Sequence, residues 1–412
     1  MAIGATLAAV LVGAAANAAP LSLDATLEPY LARYGLPALA AAVVRDGEVI
    51  AAGAVGTRRA GTRRPVGLDD RFHIGSDTKA MTALLAAMLV EEGKLRWDTS
   101  IGEVFPDLAP TMDGGLRTVT LTQLLSHTSG VAADNAAFTD LLERSLRQDG
   151  NLDALRAWLL REWRTQPLAT APGTAFAYAN MNYVIAGAMI ERVTGATWDE
   201  LITARVFAPL QLTTAGLGNQ ASLGRVDAPL GHTVVDGVAT SVLSGPNGDN
   251  PPIVGPAGIA HMSVLDFVRW AAWNAGEGRR GPALVTPETL RRLHRQVIAM
   301  PARPDAAPGT PSGTGYALGW GTLTVDWAPT RMLQHAGSNG KNLAHIWVEP
   351  ARDVALVLLT NVGGQRADDA LRALAPQLYR AYLAAEAPPL PTVAPTRRAP
   401  YFSGDPRRGQ GK

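Results

Sequence analysis

The chain has 412 residues, long enough to bury a sizeable core in one large domain or two interleaved subdomains. Its 37 Lys and Arg against 36 Asp and Glu leave a net charge of +1, which gives no electrostatic footprint for nucleic acid. The absence of cysteine excludes disulfides, thiolate metal sites, a cysteine nucleophile and a lipid-modified cysteine, and the seven histidines show no metal-ligand spacing, so neither metal nor cofactor is expected.

The chain opens on an apolar run that ends in Ala16-Asn17-Ala18-Ala19, a small-residue cleavage pattern. Residues 1–19 read as a secretory signal, although no Lys or Arg precedes Arg33, and export to the periplasm or the outside is expected. The run falls short of the roughly 20 apolar residues of a membrane span, so no stable span is expected after processing. Asp24 to Tyr34 reads as a helix with Asp24 as its cap. Ala38 to Val44, Asp46-Gly47 and Glu48 to Ala51 read as a hairpin.

Ser76-Asp77-Thr78-Lys79 follows, in a chain with four lysines and thirty-three arginines. The apolar residues from Ala80 to Leu89 recur at helical spacing, so Ser76 and Lys79 share one helical face at a helix N-terminus. An amine so placed can take the proton that a serine must lose before it attacks a carbonyl. Alone, the motif reads more readily as a capped amphipathic helix with an exposed lysine. A second S-x-x-K, Ser338-Asn339-Gly340-Lys341, has a glycine inside the turn and reads as a loop at a strand end, with Lys341 within reach of a substrate. Asp77, Lys94 and the scattered arginines read as solvated surface, and His127 and Ser129 as residues that hold a loop by hydrogen bonds.

The middle of the chain is helix-rich and carries Tyr178-Ala179-Asn180. Beyond it His335-Ala336-Gly337 precedes two strands, Leu343 to Val348 and Val354 to Leu359, and a last helix from about Ala367 to Ala384. The two ends of the chain are expected to build one antiparallel sheet covered by helices, with the helical middle inserted between them, an α/β (α+β) fold with a cleft between subdomains. Residues 386–412 are rich in Pro, Arg and Gly and read as a disordered tail, leaving 20–385 as the folded domain.

Ser76-x-x-Lys79, Tyr178-x-Asn180 and His335-x-Gly337, in that order, resemble the penicillin-recognising serine hydrolases, the branch of class C β-lactamases, D-alanyl-D-alanine carboxypeptidases, D-aminopeptidases and β-lactamase-like esterases. Leu124 to Gly130, Gly255-Pro256-Ala257-Gly258 and Asn361 to Gly364 agree, and the resemblance covers about Leu21 to Leu383. It implies the β-lactamase/transpeptidase-like fold and acyl transfer through a serine ester. By this resemblance Ser76 is the nucleophile, Lys79 and Tyr178 handle its proton, and Asn180, His335, Gly337 and Ser338 bind substrate. The backbone N–H groups of Ser76 and Ser338 would hold the oxyanion. The third motif departs from the Lys, Thr or Ser, Gly of many relatives: His335 lacks a fixed charge and Ala336 lacks a hydroxyl. The expected substrate is therefore a small ester, amide or peptide without an essential C-terminal carboxylate. A class C-like β-lactamase or D-alanyl-D-alanine carboxypeptidase is the alternative. A silent ligand-binding protein of the same fold is less favoured, because Ser76, Lys79, Tyr178 and Asn180 are all intact. No Gly-x-Ser-x-Gly occurs, which argues against an α/β-hydrolase, and the oligomeric state is not legible.

Overall fold

The structure, a computed structural model, describes residues 19–148, 150–245, 248–305 and 313–384. Apart from Ala19, the expected signal lies outside the described residues, as does the expected tail. The chain enters through β1 (Leu21–Ser22) and α1 (Asp24–Tyr34), then forms the expected hairpin, β2 (Ala38–Arg45) and β3 (Glu48–Gly56). Its two turn residues have φ of 52° at Asp46 and 83° at Gly47, the left-handed pair that a tight hairpin between twisted strands needs. Asp24 does not cap α1. Leu23 holds that position, and the Asp24 carboxylate instead accepts the Ala54 N–H of β3 at 3.0 Å, tying helix to sheet.

After β4 (Arg71–His73) a 3-10 turn, Gly75–Asp77, leads into α2 (Thr78–Glu91). This helix is buried on every side from Thr78 to Leu89, which is why almost nothing polar follows Lys79. The inserted middle holds α3 (Leu152–Trp163), α4 (Asn180–Thr194) and shorter helices, then β5 (Gly216–Leu217) and the hairpin β6 (His232–Val235) with β7 (Val238–Ser241). β8 (Ala260–Ser263) pairs with both β4 and β5, and α5 (Val264–Ala275) follows. The chain returns through β9 (Gly315–Tyr316), β10 (Gly321–Leu323), β11 (Met332–Ser338), β12 (Leu343–Glu349) and β13 (Val354–Thr360). The last helix, α6 (Gln365–Leu378), starts earlier than expected and ends in a wider turn over Tyr379–Leu383.

The main sheet runs β1-β3-β2-β13-β12-β11-β10-β9, so the two chain ends meet where β2 pairs antiparallel with β13. Side chains alternate across it. Leu39, Ala41 and Val43 of β2 and Leu356 and Leu358 of β13 pack with Leu27 of α1 and Leu371, Leu374 and Leu378 of α6. Ala40, Ala42 and Val44 face the other way, into the larger core that holds Phe267 and Trp270 of α5 and Leu84 and Leu85 of α2. Because both faces are covered, β2 and β13 read as continuous apolar runs rather than as alternating ones. No helix among the described residues is long and apolar enough to cross a membrane.

One arginine departs from the expected surface role. Arg156 of α3 is fully buried, paired with Glu191 of α4 and with Asp199 at 2.9 Å, and it donates to the carbonyls of Ile253 and Pro252 at 3.2 and 3.1 Å. It thus pins the helical middle to the segment that carries Gly255–Gly258. Arg156→Ala would leave two carboxyls facing each other without a cation, and it is expected to destabilise the fold by about 3–5 kcal/mol, read from the midpoint of urea unfolding.

Candidate active site

Four elements from three regions of the chain meet at the start of α2. The turn Gly75–Asp77 presents Ser76, 9% exposed, while Lys79 one turn on is fully buried. Lys79 Nζ lies 3.1 Å from Ser76 Oγ, 2.7 Å from Asn180 Oδ1 and 2.7 Å from the carbonyl of Ala257. The two shorter contacts are to pure acceptors, which occupy two N–H bonds of the amine. A neutral amine then has its lone pair left for the Ser76 hydroxyl. Burial holds Lys79 down to about 7, against the opposing pull of Asp134 and Asp77, so near neutral pH a large share of the amine is uncharged.

Tyr178 leans over the same amine, its ring centroid 4.7 Å from Lys79 Nζ. Its hydroxyl is buried without a fully formed hydrogen bond. Burial pushes the phenol well above its usual range, with Ser76 easing it slightly, so the group is present as the neutral hydroxyl, able to pass a proton but not to stand as a phenolate. Asn180, the first residue of α4, is held by a residue the motifs did not reveal: Asp134 accepts the Asn180 backbone N–H at 2.8 Å and its side-chain NH2 at 2.5 Å. This fixes which end of the amide faces Lys79, and leaves its second side-chain N–H free for a ligand.

The loop expected to act through hydrogen bonds does so. His127 Nδ1 accepts the Ala179 N–H at 3.3 Å and the Asn182 amide at 3.1 Å, and Ser129 donates to Asn182 Oδ1 at 2.6 Å. These contacts hold the Tyr178-Ala179-Asn180 segment in place, and His127 itself is fully buried.

From the far side β11 closes on the turn that bears Ser76. A Cβ placed on Gly337 would sit 1.9 Å from the Ile74 carbonyl and 2.8 Å from the Ser76 nitrogen, and one on Gly75 would sit 2.2 Å from the Ser338 nitrogen. Only glycine permits that approach, and Gly75 also needs its φ of 52°. The backbone nitrogens of Ser76 and Ser338 are thereby brought to one spot. Ser338 Oγ donates to the Asn342 carbonyl at 2.7 Å and accepts the Gly340 N–H, so the second S-x-x-K is a loop lock and not a nucleophile with its base.

Two assignments change. His335 is fully buried, with Nε2 on the Tyr316 hydroxyl at 3.1 Å and Nδ1 3.4 Å from Asp77, so it does not face the cleft as a substrate group. Burial pushes it down to about 3, and it is neutral. Asp77, expected on the surface, is 1% exposed, because the turn that presents Ser76 outward points the next side chain under β11. The signal available for this was the run from Ala80 to Val90, which carries no charge and so marks a helix buried from its first turn. Tyr316 and Asp134 had none, since neither lies in a motif. A further support, His73, accepts the Gly75 N–H at 3.0 Å and meets Asp249 at 2.9 Å, and Asp249 in turn holds Asn339 of the β11–β12 loop at 2.9 Å.

Comparison with known proteins agrees with this geometry. The Beta-lactamase family model matches residues 7–379. Penicillin-binding protein 4 of Amycolatopsis lactamdurans is 30% identical over 333 residues, which cover 80% of this chain and 82% of that protein. Among solved structures, D-alanine carboxypeptidase AmpC from Burkholderia cenocepacia superposes with a TM-score of 0.65 at 22% identity, covering 85% of this chain and 96% of the other. A D-stereospecific amidohydrolase from Streptomyces sp. gives 0.63 at 23%, covering 84% and 96%.

Proposed function

The chain belongs to the Beta-lactamase family and is a serine hydrolase of the β-lactamase/transpeptidase-like fold, and from that premise we propose that Ser76 is its nucleophile, that Lys79 is the base and that Tyr178 relays the proton. The observation that carries this reading is the Lys79 amine, fixed by two carbonyl acceptors with Ser76 Oγ at 3.1 Å. Ser76 Oγ attacks the substrate carbonyl carbon as its proton passes to the neutral Lys79. The oxyanion that forms accepts from the N–H groups of Ser76 and Ser338. When the carbon to leaving-group bond breaks, Lys79 returns the proton through Tyr178 to the departing oxygen or nitrogen. A water molecule then cleaves the acyl ester by the same route, its proton going to Lys79 and its oxygen to the acyl carbon.

The substrate is an ester or amide in which a C-terminal carboxylate is not essential. This rests on β11, where relatives with a Lys place a fixed cation. Here His335 is buried and neutral, and Ala336, 4% exposed, offers no hydroxyl. The names of the relatives, a carboxypeptidase and an amidohydrolase among them, support amide or peptide bonds as the first class to try. Export is supported by the Ala16-Asn17-Ala18 pattern at the start of the chain.

Intact mass followed over time with benzylpenicillin and with p-nitrophenyl acetate tests the nucleophile. Ser76→Ala is expected to abolish the adduct, while Ser338→Ala, which keeps its backbone N–H, only slows its formation; equal loss in both would overturn the choice of serine. Acylation of Ser76, with Lys79 as its base, is expected to speed up as pH climbs through about 7, because only the deprotonated amine is a base. A rate flat between pH 5 and pH 9, a range of about two units on either side, would remove Lys79 from that role. Benzylpenicillin and its neutral methyl-amide are expected to be turned over at comparable kcat/KM, and a strong preference for the free acid would refute the substrate class.

A further inference from the structure

Behind the nucleophile turn two side chains shielded from solvent take no part in the hydrolytic steps, yet between them they touch the neighbours of both oxyanion donors. His73, the last residue of β4, is fully buried, and its Nδ1 accepts the Gly75 N–H at 3.0 Å. Its Nε2 lies 2.9 Å from Asp249 Oδ1 and 3.1 Å from Oδ2. Asp249 Oδ1 also accepts the Asn339 side-chain N–H at 2.9 Å and the Asn250 backbone N–H at 2.7 Å. Gly75 precedes Ser76 and Asn339 follows Ser338, so one short line of contacts through Gly75, His73, Asp249 and Asn339 joins the residue beside one donor to the residue beside the other.

The direction of each hydrogen bond on this line is fixed by a group that can play only one part. A backbone N–H only donates, so His73 Nδ1 is a bare lone pair and the ring carries its hydrogen on Nε2, toward Asp249. At the other end Asn339 Oδ1 accepts the backbone N–H groups of Lys341 and Asn342 at 3.2 and 3.0 Å, so the NH2 end of that amide is the one that meets Asp249. Asp249 therefore accepts from His73, Asn339 and Asn250 and donates to none of them, which is the part of a carboxylate. Burial pushes its carboxyl up, but His73 and the hydrogen bonds from Asn339 and Asn250 outweigh burial and hold the group below its usual range.

We propose that His73 and Asp249 are positioning residues which, by tying Gly75 to Asn339, set the spacing between the Ser76 and Ser338 N–H groups that receive the oxyanion. The need for such a tie comes from two glycines. The nucleophile turn and β11 touch through Gly75 and Gly337, whose bare backbone permits the approach and leaves no side chain for packing to lock. Gly75 also holds a φ of 52°, and its hydrogen bond to His73 fixes the residue just ahead of Ser76. On the β11 side the same carboxylate holds the residue just after Ser338. The oxyanion exists only during reaction, so a donor moved out of place costs transition-state stabilisation and leaves affinity for the substrate largely alone.

The proposal rests on the reading of Ser76 as nucleophile, and the test keeps the two apart. With p-nitrophenyl acetate, His73→Ala and Asn339→Ala are each expected to lower kcat about tenfold and to leave KM within about twofold, because acylation and deacylation both pass through an oxyanion. The two residues act through the one carboxylate between them, so the double variant is expected to lose no more than either single one. Losses that multiply, or a fall in kcat/KM carried by KM, would overturn the proposal. Affinity for phenylboronic acid, whose tetrahedral serine adduct presents an oxygen to the same two N–H groups, is expected to fall by the same factor as kcat; an unchanged affinity would overturn it too. In the full chain labelled with 15N-histidine, nitrogen chemical shifts are expected to show His73 in the Nε2–H form without any turnover, and an Nδ1–H ring would break the line. Should His73→Ala not fold, Asp249→Asn, which keeps one acceptor oxygen of the two, takes its place in the cycle with a loss of about threefold expected. A natural chain that neither turns over the ester nor binds the boronic acid would refute the active-site reading and the spacing role with it, whereas an active chain whose variants keep their kcat would refute the spacing role alone.

Discussion

Everything at this site depends on a lysine placed where an ammonium ion is costly. Taking a charge out of water costs several kcal/mol unless each of its hydrogens is matched. Lys79 has two strong acceptors, the Asn180 amide and the Ala257 carbonyl, and a weak third in Ser76. That is enough to orient the amine and too little to hold it fully charged. The same burial that makes α2 a good core helix therefore pushes its one lysine toward the neutral amine, and packing and protonation share a single cause.

The rest of the fold supplies the two acceptors and the ceiling over them. Asn180 is aimed by Asp134 and by the loop around His127, which grips the preceding residue. Ala257 sits in a short helical turn whose Pro256 packs on Gly187 of α4, while Arg156 holds the residues just before it. β11 arrives from the other end of the chain and is kept at contact distance by Gly337 and Gly75. No part of this is a separate catalytic module. Apart from Asp134, which lies on the surface, these supports are also buried in the core, so substitutions that loosen packing here act on geometry as well as on stability.

The sequence disclosed the parts of the site that are local in the chain. Ser76 and Lys79 are one helical turn apart, and Tyr178 and Asn180 flank a single residue, so linear spacing carries their relation. The hairpin at Asp46-Gly47 and the strands on either side of Glu349 to Asp353 were legible for the same reason. What spacing could not carry was the environment. His335 reads as a cleft residue from its motif, yet the face of β11 on which it lies turns inward to Tyr316 and Asp77. Asp77 and Arg156 read as surface because charged residues usually are, and only their tertiary partners explain their burial. Asp24 had the composition of a cap, but a nearby strand with an unpaired N–H at Ala54 took its carboxylate. Asp134 meets Asn180 from 46 residues away, in a loop with no pattern to mark it.

The order of strands in the main sheet has a consequence for how the chain is made. β2 is synthesised early but lies beside β13, one of the last strands to appear, and the strand that approaches Ser76 is β11. A growing chain that has produced Ser76, Lys79 and even Asn180 still lacks the Ser338 N–H. It also lacks the neighbour that completes the sheet over which α5 packs. A chain broken between Asn180 and Met332 therefore carries Ser76, Lys79 and Asn180 without the β11 backbone that packs against the turn of Ser76. The surroundings of Ser76 are thus assembled only in a chain made through β11.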